Sequence, residues 1–213
     1  MEIHAPHEPV RSLRDFLYHM LTVVLGILIA LGLEGLVEWN HHRHLVGETR
    51  QSLNSEIREN QAHLKQGLAL APAVEKRVRT AIQLAQAREN SHTVVNTALD
   101  LSFGLFPLNS TNWNTAQASG ALVLMDESEV QRYTRIYTVQ QTFLAKQDNT
   151  LNYWMELQKW APFLDSGRGI NGFSEPDLDQ FKMSASLALI HLQTEESIAR
   201  TLDEAYDTVT SAH

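Results

Sequence analysis

The sequence predicts an all-α protein: an N-terminal transmembrane helix that continues into an extramembrane antiparallel helical bundle. Residues 16–33 carry no charged side chain and are dominated by Leu, Ile, Val and Phe. As a helix, these eighteen residues rise roughly 27 Å, close to the hydrocarbon thickness of a bilayer. Apolar residues in the rest of the chain recur at spacings of three and four, which is typical of amphipathic helices. No segment alternates long enough between apolar and polar residues to indicate a strand.

These patterns divide the 213 residues into an N-terminal tail (1–15), a transmembrane helix (16–38) and an extramembrane helical bundle (39–213). The last part is long enough to bury a hydrophobic core. The net charge of −8 argues against a nucleic-acid partner, which needs a basic face. The chain has no cysteine, so disulfides, thiol catalysis and Cys-ligated zinc are excluded.

One face of the predicted transmembrane helix carries Thr22, Gly26, Ala30 and Glu34, each four residues apart. Gly26 and Ala30 form a small-xxx-small pattern, which lets helix backbones approach closely in lipid. Glu34 near the membrane boundary favours a protein partner or water over lipid. The face is predicted to dock against transmembrane helices of other subunits or of a second copy. The alternative is a chance pattern in which Glu34 reaches headgroup water.

A polar collar is predicted where this helix leaves the bilayer, with Trp39 as an interfacial residue. His41, His42 and His44 follow it in the sequence. Histidines at such spacing can ligate a divalent metal, but one helix rarely supplies three or four converging ligands. The pattern therefore favours a headgroup-level collar, and neither a metal nor a cofactor is predicted.

The first soluble helix is predicted to continue from the anchor to about Leu70 and to end at Pro72, which begins a second helix reaching Asn90. Its heptad seam consists of Val46, Leu53, Ile57, Leu64 and Ala71, and the second helix is lined by Val74, Val78, Ala81 and Ala85. Three residues interrupt that seam: Arg50, Asn60 and Gly67.

Ser110 is predicted to cap a short helix around residues 113–118 that ends at Gly120. A long helix is expected over residues 127–161. The last helix is predicted to begin at a capping box of Ser174 and Asp177. Its stripe is Leu178, Phe181, Ala185, Ala188, Leu192, Ala199, Leu202, Tyr206 and Val209, with Glu195 the one polar member. Four such helices predict an up-down bundle.

No catalytic arrangement emerges from the sequence. Residues 167–172 match GxGxxG, but a dinucleotide site needs a strand before the motif, so a helix-to-helix turn is predicted. The metalloprotease, hydrolase and phosphate-loop motifs are missing from the sequence. Most of the aromatic residues fall on helical stripes and predict core packing rather than a ligand pocket: Trp113, Tyr133, Tyr137, Tyr153, Trp154 and Trp160.

Two blocks carry a family resemblance. VVLGILIALGLEGLVEW (residues 23–39), followed by a charged helix, and WNTAQASGALVLMDESEVQRY (113–133) resemble a family of uncharacterised bacterial single-pass membrane proteins. In that family a GILIAL-type anchor leads through a tryptophan into a helical domain. The resemblance implies an architecture and a bacterial inner membrane, and it implies no catalytic residue.

Orientation is weakly specified, because Arg11 and Arg14 before the anchor nearly balance Arg43 and Arg50 after it. A short tail before a large domain is typical of a signal anchor, so we expect a cytoplasmic N-terminus and a periplasmic bundle.

The leading hypothesis for function is a non-enzymatic accessory subunit that docks onto a larger respiratory, photosynthetic or transport complex. The alternatives are a self-assembling scaffold and an extracytoplasmic helical sensor. The predicted partners are the lipid bilayer and transmembrane helices, with no nucleic acid and no small-molecule substrate.

Overall fold

The computed structural model describes residues 13–91, 99–164 and 169–210, and all regular secondary structure in these ranges is helical. The prediction of an all-α fold, with a long N-terminal helix continuing into a helical region, is confirmed. The helices are α1 (Leu13–Ser91), α2 (Thr111–Ala118), α3 (Glu127–Gln158), α4 (Ala161–Leu164) and α5 (Glu175–Thr210). Short 3₁₀ turns lie at Ala121–Leu124 and Gly169–Gly172. The chain divides into two compact units, Met1–Glu48 and Thr49–His213.

The prediction that Pro72 separates two helices is wrong. Helix α1 is continuous from Leu13 to Ser91, with Pro72 inside it. Proline has no N–H for the carbonyl four residues earlier, and its ring crowds that carbonyl, which together cost about 3 kcal/mol. The helix is held on both sides of this defect, because Leu64 before it and Val78 and Ala81 after it are at most 1% exposed. Tertiary burial therefore overrides the local preference of proline.

Helices α1 and α3 run in the same direction through the second unit. Arg50 of α1 binds Glu129 of α3 with Nε–Oε1 and Nη2–Oε2 distances of 2.7 and 2.8 Å. Ten residues further along α1, Asn60 donates to Gln140 of α3 at 3.3 Å. Residue numbers increase in both helices from the first contact to the second, so the two helices are parallel.

Helix α5 runs antiparallel to α1. Gln61 near the middle of α1 donates to Asp207 near the end of α5 at 2.7 Å. Glu89, near the end of α1, instead accepts from Lys182 near the start of α5 at 2.5 Å. The direction of α5 therefore agrees with the antiparallel prediction, and the parallel pair α1–α3 departs from a strict up-down order.

A non-helical stretch, residues 99–110, returns the chain along α1 and permits this parallel pair. We call it the crossover segment. Arg77 pairs with Asp100 at one end of it. At the other end, the backbone N–H of Asn109 donates to Asn60 Oδ1 at 2.8 Å. The crossover segment thus runs antiparallel to α1, beside the three long helices.

The stripes predicted from spacing are buried. On α1, Val46, Leu53, Ile57 and Leu64 are buried and Ala71 is half-buried. Every member of the predicted α5 stripe is buried, including Glu195. The predicted aromatic packing is also seen: the Trp113 ring stacks on Tyr137 with centroids 4.9 Å apart.

The capping box of α5 is confirmed. The backbone N–H of Ser174 donates to Asp177 Oδ2 at 3.0 Å, and the N–H of Asp177 donates to Ser174 Oγ at 3.4 Å. These bonds satisfy donors that the first turn of a helix leaves free. Helix α3 ends at Gln158, three residues before the predicted Ala161, and α4 follows it.

Candidate functional site

The apolar part of α1 is the candidate functional surface of the first unit. In the part of the chain that the structure describes, α1 alone is long and apolar enough to be a candidate membrane span, and its most apolar window is wholly uncovered. Its large side chains between Phe16 and Val37 are 44–70% exposed. Such a continuous exposed apolar surface is unusual on a soluble protein, and it makes α1 a candidate membrane span.

The four residues of the predicted docking face lie on this surface and are all exposed: Thr22, Gly26, Ala30 and Glu34. The Thr22 hydroxyl donates to the carbonyl of Tyr18 at 2.9 Å, so its hydrogen is satisfied within the helix. A Cβ added at Gly26 would meet no atom within 4 Å outside the helix's own backbone, and the same is true at Gly32 and Gly35. The space above Gly26 is therefore open to the backbone of another helix.

The collar residues form local pairs along α1. His42 Nε2 lies 3.8 Å from Glu38 Oε1, and the guanidinium of Arg43 lies 5.6 Å from the Trp39 ring centroid. The ring centroids of His41 and His42 are 6.4 Å apart. Exposed pairs of this kind contribute little to stability.

The last collar residue, His44, pairs with Glu48 at 3.2 Å. Within residues 13–91, 99–164 and 169–210, no group of three His, Asp or Glu side chains converges to hold a metal ion. The collar histidines are thus separated into pairs rather than brought together.

A buried amide lies at the centre of the second unit. Gln140 Nε2 donates to the carbonyl of Asn109 at 2.8 Å and to Ser110 Oγ at 2.9 Å. Its Oε1 accepts from the Tyr206 hydroxyl at 2.7 Å and from Asn60 Nδ2 at 3.3 Å. Burial raises the pKa of Tyr206, which keeps this donor protonated. All four hydrogen-bonding positions of the amide are occupied, and they link α1, α3, α5 and the crossover segment.

Glu56 of α1 performs the capping role predicted for Ser110. Ser110 occupies the N-cap position of α2 but makes no side-chain cap bond, since its hydroxyl accepts from Gln140. Instead, Glu56 Oε2 accepts from the backbone N–H of Asn112 at 2.8 Å, and its Oε1 accepts from the Tyr137 hydroxyl at 2.7 Å. This carboxylate is 4% exposed. Both of its oxygens are used structurally.

A cavity of about 610 Å³ lies between α1, the crossover segment, α3 and α5. Most of its wall is apolar and includes Leu68, Ala71, Phe103, Phe106, Leu192 and Ala199. A Cβ added at Gly67 would lie 2.8 Å from Phe106 Cδ2, so the missing side chain lets this ring pack against the helix. Nothing in the sequence patterns predicted this cavity.

Glu195 of α5 forms part of the cavity wall and is 7% exposed. Its Oε1 accepts from Gln147 Nε2 at 3.4 Å, and its Oε2 is buried without a hydrogen-bond partner among the described residues. Thr150 lies nearby, but its hydroxyl hydrogen goes to the carbonyl of Lys146 at 3.0 Å. Burial raises the pKa of the Glu195 carboxyl, and the hydrogen bond from Gln147 and the charge of Lys146 oppose that rise.

The cavity also contacts charged residues that have partners. Glu196 pairs with Arg200. Arg77 donates to Asp100, and its Nη1 donates to Ser102 Oγ at 2.9 Å, although its Nε is buried without a partner. Glu195 is therefore the one acid on the wall with a buried oxygen that no described residue satisfies.

Of the GxGxxG match, Gly167 and Arg168 lie outside the described residues, and Gly169–Gly172 forms a 3₁₀ turn. Comparison of the chain with known protein families, curated proteins and solved structures finds no match. The resemblance carried by residues 23–39 and 113–133 stays a prediction.

Proposed function

We propose that this chain is a non-enzymatic, single-pass membrane protein that serves as an accessory subunit of a larger membrane complex. The observation that carries the proposal is the uncovered apolar stretch of α1 between Phe16 and Val37. Burying apolar side chains in lipid or against another transmembrane helix removes this surface from water. The complex would be a respiratory, photosynthetic or transport assembly in a bacterial inner membrane.

The face formed by Thr22, Gly26, Ala30 and Glu34 would be the contact with the partner helix. Gly26 has open space above it, and small residues permit the close approach on which helix association in lipid depends. Glu34 lies on the same face, where a partner's donor would satisfy its carboxylate.

The second unit suits a bracing role outside the membrane. Its three long helices are joined by Gln140, whose amide is fully hydrogen-bonded, and by Arg50, which binds Glu129 with two parallel bonds. Networks that are fully satisfied make a domain rigid. A rigid bundle on a membrane anchor can hold neighbouring subunits at a fixed position.

The test is co-purification of the tagged full chain from native membranes in mild detergent, with matched anchor variants. Gly26→Leu fills the docking face, whereas Gly35→Leu makes the same change on roughly the opposite side of the helix, nine residues on. We expect the wild type and Gly35→Leu to retain a stoichiometric partner and Gly26→Leu to lose at least 80% of it. A wild-type monomer without a partner would refute the proposal, and crosslinks only between copies would replace it with a self-assembling scaffold.

The proposed orientation, with a cytoplasmic N-terminus and a periplasmic bundle, has a separate test. The chain has no cysteine, so Ser128→Cys on the exposed surface of α3 supplies a unique label site. A membrane-impermeant maleimide should label this variant in intact spheroplasts. Labelling only after lysis would reverse the orientation.

A further inference from the structure

We propose that the cavity beside Glu195 is a binding site for a small amphiphilic amine, whose apolar body fills the cavity and whose protonated nitrogen donates to the Glu195 carboxylate. The site lies entirely within the second unit, so it does not depend on how the anchor docks. It adds a small-molecule ligand to a chain for which the sequence predicted none.

The size and lining of the cavity fit such a ligand. Small-molecule pockets have volumes of about 300–1,000 Å³ and are mainly apolar, with a few polar groups that fix orientation. This cavity measures about 610 Å³, and Phe103, Phe106 and Phe143 contribute rings to its wall. An alkyl or aryl group entering it would exchange water for these side chains.

The polar group of the ligand follows from Glu195. An ionised carboxylate only accepts hydrogen bonds, so the buried Oε2 without a partner calls for a donor. Leaving such an atom unsatisfied costs more than an ordinary hydrogen bond contributes, and a charged donor offsets that cost best. Oε2 itself is buried, so a ligand on the wall reaches it only when the soft terminal carboxyl torsion turns that oxygen toward the cavity.

The charges on the wall favour a cation over an anion. Glu196 is paired with Arg200, and Arg77 is paired with Asp100. Lys76 also reaches the wall but is exposed, so solvent screens its charge. The buried negative charge at the cavity belongs to Glu195, where Lys146 offsets it in part, and the buried Nε of Arg77 is the competing positive donor on the wall.

The test uses three probes with the same phenylbutyl body: 4-phenylbutylamine, 4-phenylbutanol and 4-phenylbutyrate. Binding to the full chain in amphipol is measured by titration calorimetry at neutral pH. We expect the amine to bind at least tenfold more tightly than the alcohol and the carboxylate to bind most weakly. Trp154 stacks on Phe103 of the wall with centroids 4.8 Å apart, so its fluorescence gives an independent signal of occupancy.

Two isosteric variants separate the role of the carboxylate from a general charge effect. Glu195→Gln should weaken amine binding at least tenfold and leave alcohol binding within twofold. Glu204→Gln removes the same charge from an exposed position of α5 outside the cavity wall and should leave both probes within twofold. Ala71→Phe fills the cavity from α1 and should abolish binding of both.

Several results would overturn the proposal. One is that no probe binds the wild type; another is that Glu195→Gln retains full amine affinity while Ala71→Phe loses it. Tighter binding of 4-phenylbutyrate than of the amine would instead assign the site to an anion held by Arg77. A phospholipid found at one equivalent in the purified protein, and displaced by Ala71→Phe, would assign the cavity to an acyl chain.

Discussion

Replacing Gln140 with Leu should destabilise the bundle through a specific partner, the hydroxyl of Tyr206. Leucine has a similar volume but offers no acceptor, so the Tyr206 hydroxyl, 2.7 Å from Gln140 Oε1, loses the acceptor it has in the native state. An orphaned buried polar group costs about 1–3 kcal/mol. Gln140 is 0% exposed, so water has no route to replace the lost bond.

The other partners of Gln140 lose less. Asn60 Nδ2 and the carbonyl of Asn109 still bond to each other at 2.7 Å, so neither becomes an orphan. Ser110 Oγ loses one donor but is half-buried and can turn to solvent. Each lost hydrogen bond costs about 0.5–1.5 kcal/mol net in the free energy of unfolding, and burial of the apolar leucine side chain offsets part of that cost. We therefore expect Gln140→Leu to cost about 3 kcal/mol in the free energy of unfolding.

The assay is a double-mutant cycle with Tyr206→Phe, measured by denaturant unfolding of the full chain in detergent and followed by far-UV circular dichroism. Tyr206→Phe alone should cost about 1 kcal/mol, because it removes a hydrogen bond and leaves the Gln140 oxygen with Asn60. In the double variant there is no hydroxyl to orphan. The two changes should therefore be less than additive by about 1–2 kcal/mol.

Gln141→Leu is the matched control, because it makes the same change at the next, exposed position of α3 and should stay within about 0.5 kcal/mol of the wild type. A free-energy cost of Gln140→Leu no larger than that of this control would contradict the prediction. So would a cycle with Tyr206→Phe that is additive within about 0.5 kcal/mol.

Two further predictions concern the cavity. In an open helix a Gly→Ala change stabilises by about 0.5–1 kcal/mol, but Gly67→Ala should destabilise the wild type because its Cβ would lie 2.8 Å from Phe106 Cδ2. In a Phe106→Ala background the same change should be stabilising. Thermal unfolding of the wild type, the two single variants and the double variant checks this. Burial raises the pKa of the Glu195 carboxyl in the native state, so ionisation favours the unfolded state. The free energy of unfolding should therefore fall as pH rises from the ordinary glutamate pKa through the raised native pKa. Glu195→Gln should therefore gain stability relative to the wild type between pH 4.5 and 7, and melting curves whose difference stays constant over that range would contradict the shift.

The regular part of this fold could be predicted because helical spacing reports which side chains face a core. Every residue of the α5 stripe from Leu178 to Val209 is buried as its spacing predicted. The capping box of Ser174 and Asp177 could also be predicted from the sequence, because it depends only on two residues three positions apart. Pro72 shows the limit of local rules, since burial of Leu64 and Val78 on either side holds α1 together across it.

The connectivity was less predictable. The crossover segment has no periodic pattern, and its position depends on contacts with residues about 20 to 50 positions earlier, such as Arg77 with Asp100 and Asn60 with Asn109. A pattern read along the chain does not report such pairings. The parallel arrangement of α1 and α3 follows from that segment and was missed for the same reason.

The positions that interrupt the stripes prove more informative than the stripes themselves. Arg50 binds Glu129, Asn60 joins the Gln140 network, and Gly67 admits the Phe106 ring. At each of these positions an apolar residue would continue the helical stripe but would lose the contact with the neighbouring element. Glu195 interrupts α5 in the same way, yet it alone retains an oxygen without a partner among the described residues. Since the other three interruptions are each explained by a contact within the chain, the fourth is best explained by a contact with something outside it.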